Sequence, residues 1–178
     1  AGMESFEEVM AALAEGRAPR PQGDGARTCY GAADRPRAAG LLDLSQPGEA
    51  LERAVRALDF SGYWNPLCAA KLDLGGTISL VETATFTQGP EAARPGRVAE
   101  VGRDALGVAV PGGALKLTGL RGAYGAPLDV AAYVAVGDVL PVPSAGRVEE
   151  IDAGLRRLAR ADGFWRARLR DMVPLRLP

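Results

Sequence analysis

The 178 residues are enough for one compact domain or two small ones, and the proportions of apolar (47%) and charged (24%) residues are typical of globular proteins. No segment approaches the roughly 18 consecutive apolar residues of a membrane-spanning helix, which excludes a transmembrane protein. With 21 basic and 22 acidic side chains the net charge is -1, so no global field favours nucleic acid or an anionic membrane as a partner.

The reactive side chains of common enzymes are scarce. The sequence has no histidine, which excludes Ser-His and Cys-His nucleophile pairs, imidazole general bases and histidine metal sites. Cys29 and Cys68 lie far apart, without CxxC spacing, and we expect no secretory leader before them. We therefore expect a cytoplasmic protein in which each thiol is reduced and serves as a small buried hydrophobe rather than as a nucleophile.

The first part of the chain predicts two helices joined by a connector. Four apolar residues at helical spacing, before a stop at Gly16, indicate a short amphipathic helix: Phe6, Val9, Met10 and Leu13. Residues 18–40 are rich in Pro, Gly, Arg and Asp and predict an irregular connector. A second helix is predicted from a cap at Asp43–Ser45, Pro47 in the first turn, and one apolar face: Leu51, Val55 and Leu58.

The middle of the chain predicts a small β-structure. Alternating apolar residues on both sides of the turn at Pro111–Gly113 indicate a hairpin. Thr77–Thr87 is a β-branched run and Arg97–Val101 follows a Pro-Gly turn, so four or more strands fall between about residues 75 and 120, as in a small barrel. The glycine pairs Gly75–Gly76 and Gly112–Gly113 lack the context of a phosphate-binding loop and are interpreted as turns.

The last third of the chain predicts two further helices. Residues 127–136 have apolar side chains at helical spacing, with Gly137 as a stop. A final helix follows Pro143, and a further apolar element begins at Phe164 after Gly163. The predicted fold class is α+β: helices and a connector, then a small OB-like β-barrel, then a C-terminal helix.

Several short segments resemble the methionyl-tRNA formyltransferase family. Residues 13–22 (LAEGRAPRPQ), Asp43–Pro47 and Arg53–Leu58 resemble the end of its catalytic domain. Four further segments resemble its C-terminal OB-like barrel: Pro95–Val98, Gly107–Val108, Gly112–Leu117 and Gly137–Asp138. The resemblance covers most of residues 5–142. It implies three parts: a catalytic-domain remnant at 1–62, the barrel at 63–143, and a helix with the start of the next region at 144–178.

The catalytic half of that family has no counterpart in this sequence. The family binds formyl-tetrahydrofolate on a Rossmann-like sheet and uses an Asn, a His and an Asp, none of which can be carried over to a residue of this chain. Leu44 also stands where the family has a tryptophan after the aspartate, here Asp43. The resemblance thus implies that this chain is not an enzyme by itself and involves formyl-tetrahydrofolate only if a catalytic half lies upstream. We also expect no metal site, because histidine is absent and the spacing of the aspartates does not indicate a metal cluster.

The end of the chain resembles a second family. Leu158–Pro178 is similar to a stretch that can open a condensation-like or adenylation region of nonribosomal peptide synthetases. The two resemblances together imply a non-catalytic formyltransferase-like segment that acts as an interdomain or partner-docking platform in such a synthetase. The alternative is the acceptor-side half of an active formyl-tetrahydrofolate-dependent formyltransferase, acting on an aminoacyl carrier protein or an aminoacyl-tRNA.

The last helix supplies the candidate docking residues. They combine arginines with two adjacent aromatic side chains: Arg156, Arg157, Arg160, Phe164, Trp165 and Arg166. Such a set suits neighbouring synthetase domains, an acidic carrier protein or its phosphopantetheine phosphate, although a solvated helix face is the simpler interpretation.

A nucleic-acid site is disfavoured in the barrel region. Basic residues there alternate with acidic ones: Arg94, Arg97, Arg103, Lys116 and Arg121 against Glu82, Glu91, Glu100 and Asp104. The aromatic segment Tyr63–Pro66 is interpreted as a hydrophobic hinge between subdomains rather than as a ligand-stacking site. Asp24, Asp34 and Asp43 are interpreted as turn and cap residues.

Overall fold

The computed structural model describes residues 2–18, 31, 34–61, 63, 65–90, 94–170 and 172, with side chains from Phe6 onward. The chain divides into two compact units, residues 1–30 and 31–178, and each is described by itself. In the first unit, α1 spans Gly2–Ala14. It ends where Gly16 takes a φ of 67° and the backbone N–H of Arg17 donates to the Ala12 carbonyl at 2.9 Å. The first predicted helix is confirmed.

The described residues of the second unit form two α-helices and seven strands. Its first element is a tight turn at Arg37–Gly40, followed by α2 at Gly48–Leu58. The strands are β1 Lys71–Asp73, β2 Ile78–Leu80, β3 Thr83–Gln88, β4 Val98–Val101, β5 Ala105–Val110, β6 Gly113–Thr118 and β7 Arg121–Gly122. A short 3₁₀ turn at Val130–Ala132 precedes α3, which spans Ala145–Leu169.

The strands form two antiparallel sheets in the orders β1-β2-β7 and β3-β6-β5-β4. The predicted hairpin is confirmed as β5–β6, in which Leu106 pairs with Leu117 and Val110 with Gly113. Gly113 has a φ of 152°, and a side chain there would collide with the Thr87 carbonyl of the neighbouring strand, so the turn requires glycine. The observed helices and sheets confirm the predicted α+β class.

The two sheets share a corner. Only two residues separate β2 from β3 and only two separate β6 from β7, so both chain segments pass from one sheet to the other side by side. At this corner Gly119 has a φ of 66°, and a Cβ there would lie 2.5 Å from the Cβ of Glu82. A glycine at this position therefore permits the close approach of the two bent segments.

The sheets are not closed into a barrel, which differs from the expected OB-like closure. Irregular segments already occupy the edges that would have to pair. The Val98 N–H of β4 donates to the Asp138 carbonyl at 2.8 Å, and Gly137 donates back to Val98 at 2.9 Å. At β1, the Leu42 N–H donates to the Lys71 carbonyl at 2.8 Å. Because these backbone groups are satisfied, β1 and β4 remain the outer strands of two open sheets.

The core lies between the sheets and α2. Its fully buried side chains include Leu44, Leu72, Leu106, Val108, Leu115 and Leu117. The predicted apolar face of α2 is confirmed, since Leu51 and Val55 are buried and Leu58 packs against them. The helix begins at Gly48 with Pro47 as N-cap, later than the predicted cap. The Asp43 carboxylate instead accepts from the backbone N–H and the hydroxyl of Ser45 at 3.0 and 2.6 Å.

Residues 127–136 do not form the predicted helix. Only Val130–Ala132 turn, as a single 3₁₀ turn. The Val130 N–H donates to the Arg103 carbonyl at 3.0 Å, and its side chain is fully buried. This backbone group is thus used for a contact with the sheet region rather than within a helix. Across the described part of the chain, no helix has both the length and the apolar composition to cross a bilayer.

Candidate functional site

The C-terminal helix α3 holds the predicted docking residues. It begins after Pro141 and Pro143, where the Ser144 hydroxyl accepts from the Arg147 N–H at 3.2 Å as an N-cap. The helix then runs through Gly163 to Leu169, so the apolar element predicted after Gly163 is the second half of the same helix. All six predicted docking residues therefore lie on one continuous helix.

The first half of α3 is anchored to the turn at Arg37–Gly40. The Asp152 Oδ1 accepts a hydrogen bond of 2.7 Å from the Ala38 N–H. Val148 is buried, and Ile151 and Leu155 are half-buried on the same face of the helix. The contact joins residues 114 positions apart in the sequence and fixes the start of α3 to the rest of the unit.

The turn that receives α3 has an unusual backbone. Ala38 and Ala39 have φ angles of 49° and 56°, in the left-handed region, and Gly40 continues there at 79°. The Lys71 ammonium holds the turn from the other side, donating to the carbonyls of Ala39 at 2.6 Å and of Ala69 at 3.1 Å. Sequence reasoning missed this anchor, because no local pattern marks two successive alanines as left-handed.

The second half of α3 presents an exposed apolar stripe. At 100° per residue, Leu158, Trp165 and Leu169 continue the helix face on which Ile151 and Leu155 are half-buried. We name Leu158, Trp165 and Leu169 the distal stripe; they are 69%, 54% and 52% exposed. Phe164 stands beside it with its ring edge-on to Trp165, the centroids 5.2 Å apart.

The distal half of α3 is strongly basic. Residues 156–170 contain six arginines and one acid, Asp162. Arg156 reaches Glu149 at 3.1 Å and Arg166 reaches Asp162 at 2.9 Å. The other four have no ion-pair partner within the ranges that the structure describes: Arg157, Arg160, Arg168 and Arg170.

Helical geometry separates the predicted docking residues into two groups. Beside or at the distal stripe lie Arg157, Phe164, Trp165 and Arg166. Arg156 and Arg160 lie about 180° and 140° around the helix from Trp165, on its back. A groove of about 620 Å³ lies at the sheet corner.

The groove at the sheet corner has a mixed charge. Two of the basic residues considered for nucleic acid, Arg103 and Arg121, line it together with Glu82 and Asp104. The Arg121 guanidinium is paired with the Glu82 carboxylate at 2.7 Å. This arrangement offers little net attraction to a phosphate backbone.

The remaining candidate features are structural. Both Gly75 and Gly76 donate their N–H groups to the Asp73 Oδ1, at 2.9 and 2.7 Å, so this glycine pair forms a turn as predicted. Burial raises the pKa of the half-buried Cys68 thiol above its ordinary value, against a smaller lowering by the Lys71 charge. Among the described side chains, no group of three or more potential ligands is placed to hold a metal ion.

Some predicted positions lie outside the described residues: Asp24, Cys29, Trp64 and Glu91. So do residue 171 and residues 173–178, at the end of the segment that resembles a synthetase region. Of the aromatic segment, Tyr63 is exposed. The buried Asn65 donates to the Leu58 carbonyl at 3.1 Å and accepts from the Leu67 N–H at 2.9 Å. Asn65 thereby ties the end of α2 to the chain leading into β1.

Comparison with known proteins gives two findings. The model of the family "Formyl transferase, C-terminal domain" matches residues 36–136. A methionyl-tRNA formyltransferase of Halorhodospira halophila (strain DSM 244 / SL1) is 39% identical over 93 residues. That match covers 52% of this chain and 28% of the relative, so the chain spans little more than a quarter of that protein. Helix α3 lies beyond the residues that the family model matches.

Proposed function

Because the chain belongs to the formyl transferase C-terminal domain family, we propose that it serves as a non-catalytic platform that docks neighbouring domains in a cytoplasmic nonribosomal peptide synthetase. In this role it binds no folate and transfers no formyl group by itself. Its partners are the adjoining synthetase domains and a carrier protein. Formyl-tetrahydrofolate enters only through a catalytic half elsewhere in the parent protein.

The observation that carries the proposal is that one half of α3 is anchored and the other half is exposed. Its first half is fixed to the matched family region by the hydrogen bond from Ala38 to Asp152, whereas its second half exposes an apolar and basic surface. A helix held at one end and uncovered at the other is suited to contact a further protein surface. The resemblance of Leu158–Pro178 to a synthetase region supports a synthetase as the source of that surface.

The non-catalytic part of the proposal has a direct assay. The purified 178-residue chain is incubated with formyl-tetrahydrofolate and, in separate reactions, an aminoacyl carrier protein and an aminoacyl-tRNA. Formylated product is followed by mass spectrometry, with a complete formyltransferase as positive control. We expect no product above the protein-free blank, because the chain has no histidine and offers no imidazole for proton transfer. Turnover above the blank would refute this part.

The synthetase context is tested on the native protein. Intact mass and peptide sequencing of the parent polypeptide should reveal an adenylation or condensation region after this segment. A parent that ends shortly after residue 178 would refute the proposed context.

The second candidate is the acceptor-side half of a working formyltransferase. The observation that favours it is the 39% identity to a protein named methionyl-tRNA formyltransferase, of which this chain spans 28%. The candidate predicts that the chain raises the formyl transfer rate of a separately produced catalytic half. The platform proposal predicts no change, so one titration of the two polypeptides discriminates between them.

A further inference from the structure

We propose that the distal half of α3 is a docking surface for an acidic, helical protein surface, which packs on the distal stripe and pairs with the arginines on its two sides. This inference rests on the platform role proposed above and names the chemistry of the partner. Three features carry it: the exposed stripe, the placement of the arginines around it, and an acid within the stripe.

The distal stripe is the uncovered continuation of a packed face. The same side of α3 that buries Val148 and half-buries Leu155 then exposes more than half of Leu158, Trp165 and Leu169. Three large apolar side chains along one helix face, with Phe164 adjoining, form the kind of row that an opposing helix covers. Trp165 is the natural anchor, since tryptophan is enriched among residues that dominate binding energy.

The arginines lie where they would meet charges on the partner. By helical geometry, Arg157 and Arg168 fall on one side of the distal stripe, about 60 to 80° from Trp165. Arg166 falls on the other side, at about 100° from Trp165 and 60° from Leu169. An apolar row between two basic edges is complementary to a helix whose own apolar row lies between acidic edges. The basic excess is local, because the whole chain has a net charge of -1.

The position of Asp162 favours a protein rather than a lipid surface as the partner of the distal stripe. It lies between Leu158 and Trp165 along the stripe and pairs with Arg166 at 2.9 Å. Insertion of this face into acyl chains would take a charged pair out of water, which is costly, whereas a protein partner can leave the pair at a hydrated rim. A second copy of the same surface is disfavoured by the repulsion between two sets of arginines.

The test uses the full 178-residue chain and a synthetic helical peptide of about 20 residues. The peptide carries a leucine row flanked by glutamates and a fluorescein label, and a twin peptide has glutamine in place of every glutamate. Fluorescence anisotropy at about 0.1 M salt should give at least about tenfold tighter binding of the glutamate peptide. Binding of that peptide should weaken as salt increases, since the charges are exposed.

Substitutions on exposed positions locate the contact. Trp165→Ser with Leu169→Ser should weaken binding by at least about tenfold, and so should Arg157→Gln with Arg168→Gln. The matched control is Arg156→Gln with Arg160→Gln, which also removes two charges, here from the back of the helix, and should change binding by no more than about twofold. Circular dichroism of each variant verifies that α3 is retained.

Each contrary outcome overturns the inference. Equal affinity for the two peptides, or no binding of the glutamate peptide, removes the acidic partner. Preferential binding to vesicles containing phosphatidylserine or to a short single-stranded RNA, lost in the same variants, assigns the surface to lipid or to nucleic acid instead. The readout is independent of formyl transfer. Loss of peptide binding with no formyl transfer leaves the platform role without this docking surface, whereas formyl transfer with peptide binding refutes the non-catalytic role alone.

Discussion

Removal of the carboxylate that anchors α3 should destabilise the second unit by about 2 kcal/mol. In Asp152→Ala, the Ala38 N–H loses its acceptor at 2.7 Å. Ala38 is 4% exposed, so water cannot readily replace the carboxylate. A hydrogen bond to a charged group contributes about 1.5–3 kcal/mol, and an unsatisfied buried N–H costs about 1–3 kcal/mol. For a unit of this size, a loss of about 2 kcal/mol lowers Tm by roughly 4–8 °C.

The assay is thermal and urea unfolding, followed by circular dichroism, with hydrogen exchange of the Ala38 amide as a local probe. The matched control is Asp162→Ala, an aspartate on the same helix whose pair with Arg166 is partly exposed; its loss should cost no more than about 0.5 kcal/mol. Asp152→Asn keeps an acceptor oxygen and should fall between the two. If Asp152→Ala costs no more than Asp162→Ala, or leaves the Ala38 amide as protected as before, the anchor has been assigned wrongly.

Three further predictions concern the backbone and the thiol. Ala39→Gly should stabilise the fold by about 0.5–1 kcal/mol, because the relief of strain in the left-handed backbone exceeds the entropy that glycine adds to the unfolded chain. The control Ala54→Gly, within α2, should cost about 1 kcal/mol. Equal effects of the two variants in urea unfolding would contradict backbone strain at Ala39. Gly48→Ala should cost about 2–3 kcal/mol of stability, because its methyl group would overlap the Phe86 ring of β3. The control Gly154→Ala has open space around it and should stabilise the fold by about 0.5–1 kcal/mol. Similar Tm shifts for the two variants would argue against the overlap. The raised pKa of Cys68 should slow its reaction with iodoacetamide at pH 8 relative to glutathione, in a background with the other cysteine replaced by serine. Since the thiolate is disfavoured in the folded state, the contribution of Cys68 to stability is full below the ordinary thiol pKa and decreases as the pH rises above it. Alkylation of Cys68 faster than that of glutathione would contradict the raised pKa.

The features that could be predicted from the sequence depend on nearby residues. The buried face of α2, with Leu51 and Val55, follows from helical spacing within a few residues. The β5–β6 hairpin follows from alternation around one turn at Pro111–Gly113. In both cases the local pattern and the tertiary packing favour the same structure, so the local pattern was sufficient.

The features that were missed depend on distant partners. Residues 127–136 have helical spacing, yet the Val130 N–H is taken by the Arg103 carbonyl. Barrel closure is prevented because the edge of β4 is paired with Asp138, 40 positions after Val98. Such pairings are fixed by the packing of the whole unit, and no pattern in either segment indicates them.

The same division applies to the candidate site. The helix after Pro143 and its arginines could be predicted from the sequence, whereas its continuation through Gly163 could not, and the half that is covered depends on the turn at Arg37–Gly40. The docking roles of the six residues, the boundaries at 62/63 and 143/144, and the absence of catalysis stay predictions. The experiments described above address the docking roles and the catalysis.

The length of α3 sets a distance between its two ends. Trp165 lies thirteen positions after Asp152, which at 1.5 Å per residue places the exposed tryptophan about 20 Å along the helix axis from the anchoring carboxylate. Gly154 and Gly163 lie within this helical span, and glycine is the weakest helix former after proline. Helix α3 therefore acts as a semi-rigid spacer, whose stiffness can be adjusted by a single methyl group at either glycine.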